Sequence, residues 1–381
     1  MRKLCAVLAG LCLFALVLAG FKFHMDTRIL ENKDGFRNLR TYERFWSSEA
    51  QKLLIEENTL PVFGSSELTS LSYYEKGVGS FLNGKQMNII SIGAGNFQSL
   101  HHAITLGAIS EGISSKKVAL FLSPQWFDKD GCDAAAFAAR MSENELLEFL
   151  ANKNISKETK RYVLERTEKL LSNSPTQLAR IRKYKKAVEQ PISAETIYKS
   201  VLTAYWNYRA EYEVYQQLER ISNDIPYYDL DAIDFDAVLA LAEQQGEESC
   251  TNNDFGIYDS YWDTYVKDTF NKGEVATKEQ IYTQSPEYGD LECFLNVAEE
   301  LGIEVILVSI PVHGKWYEYR GQLCDVYYQK VGQIAAQYDN VKFVDMSVYE
   351  DEQYFLKDIM HLGWKGWTRI NEVLYKEFTN K

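Results

Sequence analysis

The stretch Pro61-Val62-Phe63-Gly64-Ser65-Ser66-Glu67-Leu68 ends a short apolar run in a tight Gly-Ser-Ser turn. An apolar strand that stops at a glycine and continues in small polar residues delivers a serine to the carboxyl end of a parallel strand. The backbone N–H groups of the next helical turn then lie beside it. Such groups can hold an oxyanion. Gly-Ser-Ser turns are also common in ordinary loops, so this stretch acquires chemical meaning only with a partner. The candidate partner is Asp358-Ile359-Met360-His361, almost 300 residues further on.

Around this turn, five β-rich runs stand out: Pro61 to Gly64, Met87 to Gly93, Lys117 to Ser123, Glu304 to Pro311 and Val341 to Met346. Each is nearly continuously apolar rather than alternating, as expected of parallel strands buried on both faces. Helical patterns separate them, which predicts a doubly wound α/β fold on a five-stranded parallel sheet. The tract from about 133 to 303, between the third and fourth runs, exceeds a single crossover and is expected to be a long helical insertion. Ser142-Glu143-Asn144-Glu145 has the form of a capping box, and Ser174-Pro175 places proline at a first helical position. Ser285-Pro286 opens a further helix that Gly302 should close.

At the N-terminus, Arg2 and Lys3 precede an uninterrupted apolar run of 18 residues, Leu4 to Phe21. That length just suffices to cross a bilayer as a helix, and the cationic flank sets the N-terminus in the cytoplasm with the domain outside. A cleaved signal peptide is the competing reading, with Leu18-Ala19-Gly20 as small residues for a peptidase. The run exceeds the usual apolar core of a signal peptide, which favours an uncleaved single-pass anchor. Residues 1–25 are thus expected to form the anchor and 26–381 one extracytoplasmic domain. A net charge of −13 over 381 residues argues against a nucleic-acid partner, which requires a basic face. Cys132, Cys250, Cys293 and Cys324 contain no C-x-x-C pair, and the sequence leaves their disulfide state open.

The Asp358/His361 spacing of three lets a carboxylate accept from imidazole Nδ1–H and leaves Nε2 free to take a proton from a nucleophile. Alternatively His361 merely caps the last helix. A nucleophile from the Gly64-Ser65-Ser66 turn after the first strand and the pair after the fifth would meet at the carboxyl edge of one sheet, where open α/β folds bind ligands. With five histidines in the chain, a multi-histidine metal site is disfavoured, and His101 and His102 are expected to begin or line a helix. Asp229, Asp231, Asp234 and Asp236 lack the glycine and terminal glutamate of a calcium loop and are expected to be solvated charge. Arg180, Arg182, Lys183, Lys185 and Lys186 suggest a solvated helix face, with anionic lipid or polymer as the alternative.

An early Ser and a late Asp-x-x-His on a five-stranded sheet resemble the SGNH or GDSL hydrolase superfamily. The single anchor, Gly64-Ser65-Ser66-Glu67-Leu68, Gly93-Ala94-Gly95-Asn96-Phe97-Gln98, Ser123-Pro124-Gln125-Trp126 and Asp358-Ile359-Met360-His361 together resemble the DltD family of D-alanyl-lipoteichoic acid biosynthesis in Gram-positive bacteria. The resemblance implies Ser66 as nucleophile, with Ser65 where the superfamily has Asp, His361 as general base and Asp358 as its orienter. It implies Gly93 or Gly95 as an oxyanion donor and leaves Gln125 as the nearest amide where the superfamily has Asn. His313, in Pro311-Val312-His313, becomes either a polar wall of the pocket or a tolerated variant.

By this resemblance the chain would transfer D-alanine onto lipoteichoic acid outside the cell membrane, without a cofactor. Its partners would be a membrane-bound O-acyltransferase, a small membrane peptide and a D-alanyl carrier protein. A cell-wall esterase or thioesterase is the alternative from the same chemistry. A non-catalytic scaffold that holds carrier and lipoteichoic acid beside the acyltransferase is the alternative from another class.

Overall fold

Strands β1 (Thr59–Phe63), β2 (Asn88–Ile92), β3 (Lys117–Leu122), β4 (Glu304–Ser309) and β5 (Val341–Asp345) form one sheet in the order β2-β1-β3-β4-β5. Every pairing is parallel. The computed structural model describes residues 2–39, 41–69, 83–222, 225, 227–272, 283–317 and 320–381.

Alternate residues of each strand point to opposite faces and enter two separate cores. Phe63, Ile90, Leu120 and Leu307 join Leu100, Phe294 and Tyr327 on one side. Leu60, Val62, Phe121 and Ile306 join Trp367, Ile370 and Leu374 on the other. The principal helices are α1 (Arg2–Glu31), α2 (Ser99–Ile109), α3 (Ala194–Tyr215), α4 (Phe235–Ser249), α5 (Glu287–Glu300) and α6 (Trp364–Thr379). Helices α2 and α5 cover the first face, and α4 and α6 the second, which gives the doubly wound architecture.

Four of the runs are buried on both faces as expected, but β5 is not: Lys342 and Asp345 are exposed and the rest only partly covered. As an edge strand with charge at two of five positions, it presents a blunted edge to solvent.

Between β3 and β4 the chain is helical, and the cap signals act where the residues suggest. Ser142 Oγ accepts from Glu145 N at 3.1 Å to open Glu143–Ala151. Pro175 starts Pro175–Glu189, without a side-chain cap from Ser174. Helix α5 begins after Ser285-Pro286, and Gly302, at φ +61°, follows its end. The four aspartates Asp229, Asp231, Asp234 and Asp236 are exposed, as expected, and three of them also act locally. Asp229 and Asp234 cap helical turns through the Asp231 and Ala237 N–H groups, and Asp231 meets Lys381 and Tyr375. The basic helix Pro175–Glu189 is likewise ion-paired: Arg180 with Glu143, Arg182 and Lys185 with Glu168, Lys186 with Glu195. Cys132, Cys250, Cys293 and Cys324 are buried, and none forms a disulfide among the described residues.

Helix α1 is 30 residues long, with a mean hydropathy of 2.7 over its most apolar 18 residues, none of them buried. It is long and apolar enough to cross a membrane. Its lower end docks on the domain: Met25 and Ile29 are fully buried, and Lys22 pairs with Glu211 of α3.

Candidate active site

In the order β2-β1-β3-β4-β5 the chain reverses direction across the sheet between β1 and β3, where open α/β sheets leave a crevice at their carboxyl ends. A cleft of about 580 Å³ lies there. Each strand supplies it with a following segment: Ser65 and Ser66 after β1, Gly95 after β2, Gln125 after β3, Tyr317 after β4 and Met360 after β5.

The first segment is shaped by close packing around Gly64. Its N–H donates to Ile92 O at 3.1 Å, prolonging the β1–β2 ladder by one bond. A Cβ at Gly64 would sit 2.4 Å from Glu67 Oε1, so only glycine lets the Glu67 side chain fold back under the turn. That carboxylate accepts from Ser65 N at 2.6 Å and is buried. Burial pushes its pKa above 4.5, against the opposing pull of the Ser65 and Glu67 N–H groups and of His361. Ser65 Oγ accepts from Asn96 N at 3.1 Å and lies 3.4 Å from Ala94 O, which ties the β1 turn to the β2 loop. A 3₁₀ turn, Ser66–Thr69, then begins at Ser66.

From the opposite end of the chain, His361 brings Nε2 to 2.7 Å from Ser66 Oγ. Its Nδ1 lies 2.8 Å from Asp358 Oδ2. Asp358 Oδ1 accepts from Met360 N at 2.8 Å and His361 N at 2.7 Å, so the carboxylate grips both the ring and the backbone of the residue it orients. Burial opposes charge on Asp358, but the His361 ring and these two N–H donors outweigh it and hold the carboxyl below 3.8. Burial also opposes charge on His361; the Asp358 hydrogen bond and charge, with Glu67 further off, overcome it and raise the imidazole above 6.5. The alternative of His361 as a helix cap does not apply, since the N-cap of α6 is Gly363.

Of the two glycines, Gly95 lines the cleft, and a Cβ there would stand 3.9 Å from Ser66 Cβ. Gly93 does not line it. With φ +137° and a Cβ position only 1.8 Å from Gly64 O, Gly93 is required for the close approach of the two loops. Gln125 lines the cleft with a buried Oε1 that has no hydrogen-bond partner among the described residues.

His313 is not a wall of the pocket. It is buried, its Nε2 donates to Phe255 O at 2.8 Å, and its ring stacks on Phe255 at 4.7 Å. Its backbone N–H donates to Ile359 O at 2.9 Å, so it braces the Asp358–His361 loop against the segment around Phe255. His101 and His102 lie in the first turn of α2 within the core. His101 closes a capping box with Gln98, and the His102 ring lies 5.5 Å from that of Phe63 at the end of β1. Burial, reinforced by Arg140, pushes His101 down to about 3, and burial pushes His102 well below 6.5.

Sequence reasoning assigned no role to Glu67 or Tyr317. The only signal for Glu67 was its adjacency to Ser66. Tyr317 and the rim residues Asp128, Asp130 and Asp133 carried none, because strand-end loops announce no shared cleft.

A family model described as "DltD protein" matches residues 41–379. The chain is 30% identical over 330 residues to "Protein DltD" of Bacillus subtilis, covering 85% of this chain and 83% of that protein. It is 28% identical to the protein of the same name from Staphylococcus aureus, covering 86% and 83%. With that of Lacticaseibacillus rhamnosus it shares 26% identity, covering 84% and 77%.

Proposed function

The chain belongs to the DltD family, and from that premise we propose that Ser66 carries an acyl-transfer step of D-alanyl-lipoteichoic acid biosynthesis on the outer side of the cell membrane. The observation that carries the reading is the 2.7 Å approach of Ser66 Oγ to His361 Nε2, with Asp358 behind the ring. Ser66 Oγ attacks the D-alanyl carbonyl as its proton passes to His361 Nε2. The tetrahedral oxyanion collapses, the bond to the donor's sulfur or oxygen breaks, and His361 returns the proton to that leaving group. A glycerol hydroxyl of lipoteichoic acid then attacks the Ser66 ester with His361 again as base. Ser66 is released with its proton restored.

Gly95 and Gln125, which line the cleft, would donate to the developing oxyanion, and an acidic rim of Asp128, Asp130 and Asp133 suits the ammonium group of D-alanine. Helix α1 anchors the chain with Arg2 and Lys3 inside the cell. The membrane-bound O-acyltransferase, small membrane peptide and D-alanyl carrier protein of the pathway are the partners this reading implies.

A small serine-directed phosphonate tests the nucleophile. We expect the label on Ser66, since Ser65 Oγ is buried and engaged by Asn96 N. His361→Ala should cut labelling about 10³-fold or more. Ser66→Ala should abolish D-alanylation while the protein still assembles with the acyltransferase. A label on Ser65, or D-alanylation that survives Ser66→Ala, refutes the enzyme reading and leaves the scaffold.

A further inference from the structure

Helix α3 carries an apolar and tyrosine face, edged by the Arg209–Glu213 ion pair, on a chain whose net charge is −13. Ile197, Val201, Tyr205, Tyr208, Tyr212 and Tyr215 recur at helical spacing on one strip. Ile197 is 70% exposed, Val201 63%, Tyr205 51% and Tyr212 38%, so the strip looks outward. The opposite side of α3 packs inward through Ala210, Val214 and Trp206. A contiguous apolar and tyrosine strip of this length marks an interaction surface rather than scattered surface residues.

Its position identifies the occupant. Phe21, the last residue of the apolar run of α1, sets its ring 6.1 Å from Tyr212 and 5.9 Å from Tyr215, both on the strip. The next residue, Lys22, turns instead to Glu211, buried on the flank of the same helix. The strip therefore begins at the level where the apolar run ends. Tyrosine rings favour the headgroup level of a bilayer, and a helix with one apolar face lies along it.

We propose that this face of α3 rests in the headgroup region of the bilayer that α1 crosses, so that the domain contacts the membrane along a second helix lying in its plane. The inference depends on α1 being a span. The 22 residues of α3 would cover about 33 Å of membrane surface.

The test uses the full-length chain in vesicles of phosphatidylcholine and phosphatidylglycerol, with Cys5→Ser and Cys12→Ser removing the exposed thiols. Nitroxides are placed at Val201→Cys, at Leu11→Cys in the apolar run and at Lys342→Cys on the exposed edge strand. The Val201 label should be about fivefold or more less accessible to a water-soluble nickel relaxant than the Lys342 label, and more accessible to oxygen. Equal nickel access at Val201 and Lys342, with Leu11 still protected, overturns the proposal while α1 remains a span. Nickel access at Leu11 as well means that the span itself fails, and the α3 contact with it. Spin–spin broadening at Val201 that vanishes on dilution with unlabelled chain identifies a second copy as the occupant and also overturns it.

Discussion

In the proposed relay His361 must be neutral when Ser66 attacks, so the pKa of its ring sets the pH at which the reaction runs. Burial alone would lower that pKa, but Asp358, and Glu67 to a lesser degree, raise it above 6.5, with Lys357 opposing. Single-turnover acylation should therefore rise with pH through a midpoint above 6.5 and level off once the ring is neutral. Glu67→Gln removes one of the charges that favour imidazolium, so its midpoint should move to lower pH while the plateau stays within about tenfold of the wild type. Asp358→Asn should also move the midpoint down, but with a plateau about 10²-fold or more lower, because the ring loses its orienter. A pH–rate profile of the three proteins reads both quantities. An unshifted midpoint in Glu67→Gln would mean that its carboxylate holds the Ser65 N–H and does nothing to the histidine. The Gly64-Ser65-Ser66 turn and the Asp358/His361 spacing were legible in the sequence as a pair of signals, and the family resemblance chose Ser66 over Ser65. Glu67 was not legible because its effect comes from being buried, and burial belongs to the fold.

At the scale of elements, the site depends on the β1 turn and the β2 loop being pressed together, and two glycines divide that task. A Cβ at Gly93 would collide with Gly64 O, and φ +137° is strained for any other residue. A Cβ at Gly95 would only touch Ser66 Cβ at van der Waals distance. Gly93→Ala should then destabilise the protein by roughly 2–4 kcal/mol. Gly95→Ala should keep stability within about 0.5 kcal/mol and lower acylation by crowding the nucleophile. Thermal unfolding beside phosphonate labelling separates the two, and equal losses of stability would contradict the division. Continuous apolar runs such as Val118-Ala119-Leu120-Phe121-Leu122 revealed the strands, because a central parallel strand must be apolar on both faces. Strand β5 read the same way and proved to be a half-exposed edge. Sheet order is fixed by long-range pairing, which no local run encodes. The two candidate glycines were likewise indistinguishable until the closeness of Gly64 O to Gly93 was visible.

At the scale of the whole molecule, buried ionisable groups of two kinds bound the pH range in which the fold is stable. His101 and His102 have folded pKa values depressed below 6.5, the first to about 3. The unfolded chain therefore binds more protons there, and their contribution is complete above about 6.5 and lost as pH falls towards 3. Glu145, which accepts from Gln51 Nε2 and Thr105 Oγ1 in the core, is pushed up to about 8 by burial, and Glu287, which accepts from Ser99 N, is also pushed up to about 8. Their sign is opposite: the folded state holds the extra protons, so their contribution is complete below 4.5 and lost as pH rises through about 8. Each group contributes about 1.4 kcal/mol per pH unit inside its own window. Between about 4.5 and 6.5 the two slopes oppose each other, whereas below that range only the histidines act and above it only the glutamates. The Tm of the full-length protein should thus be highest near pH 5 to 6 and fall on both sides. Glu145→Gln, uncharged at every pH, should flatten the alkaline limb while leaving the acid limb in place. A Tm that climbs steadily from pH 5 to 8, or an alkaline limb unchanged in Glu145→Gln, would mean that these carboxylates enter the fold ionised.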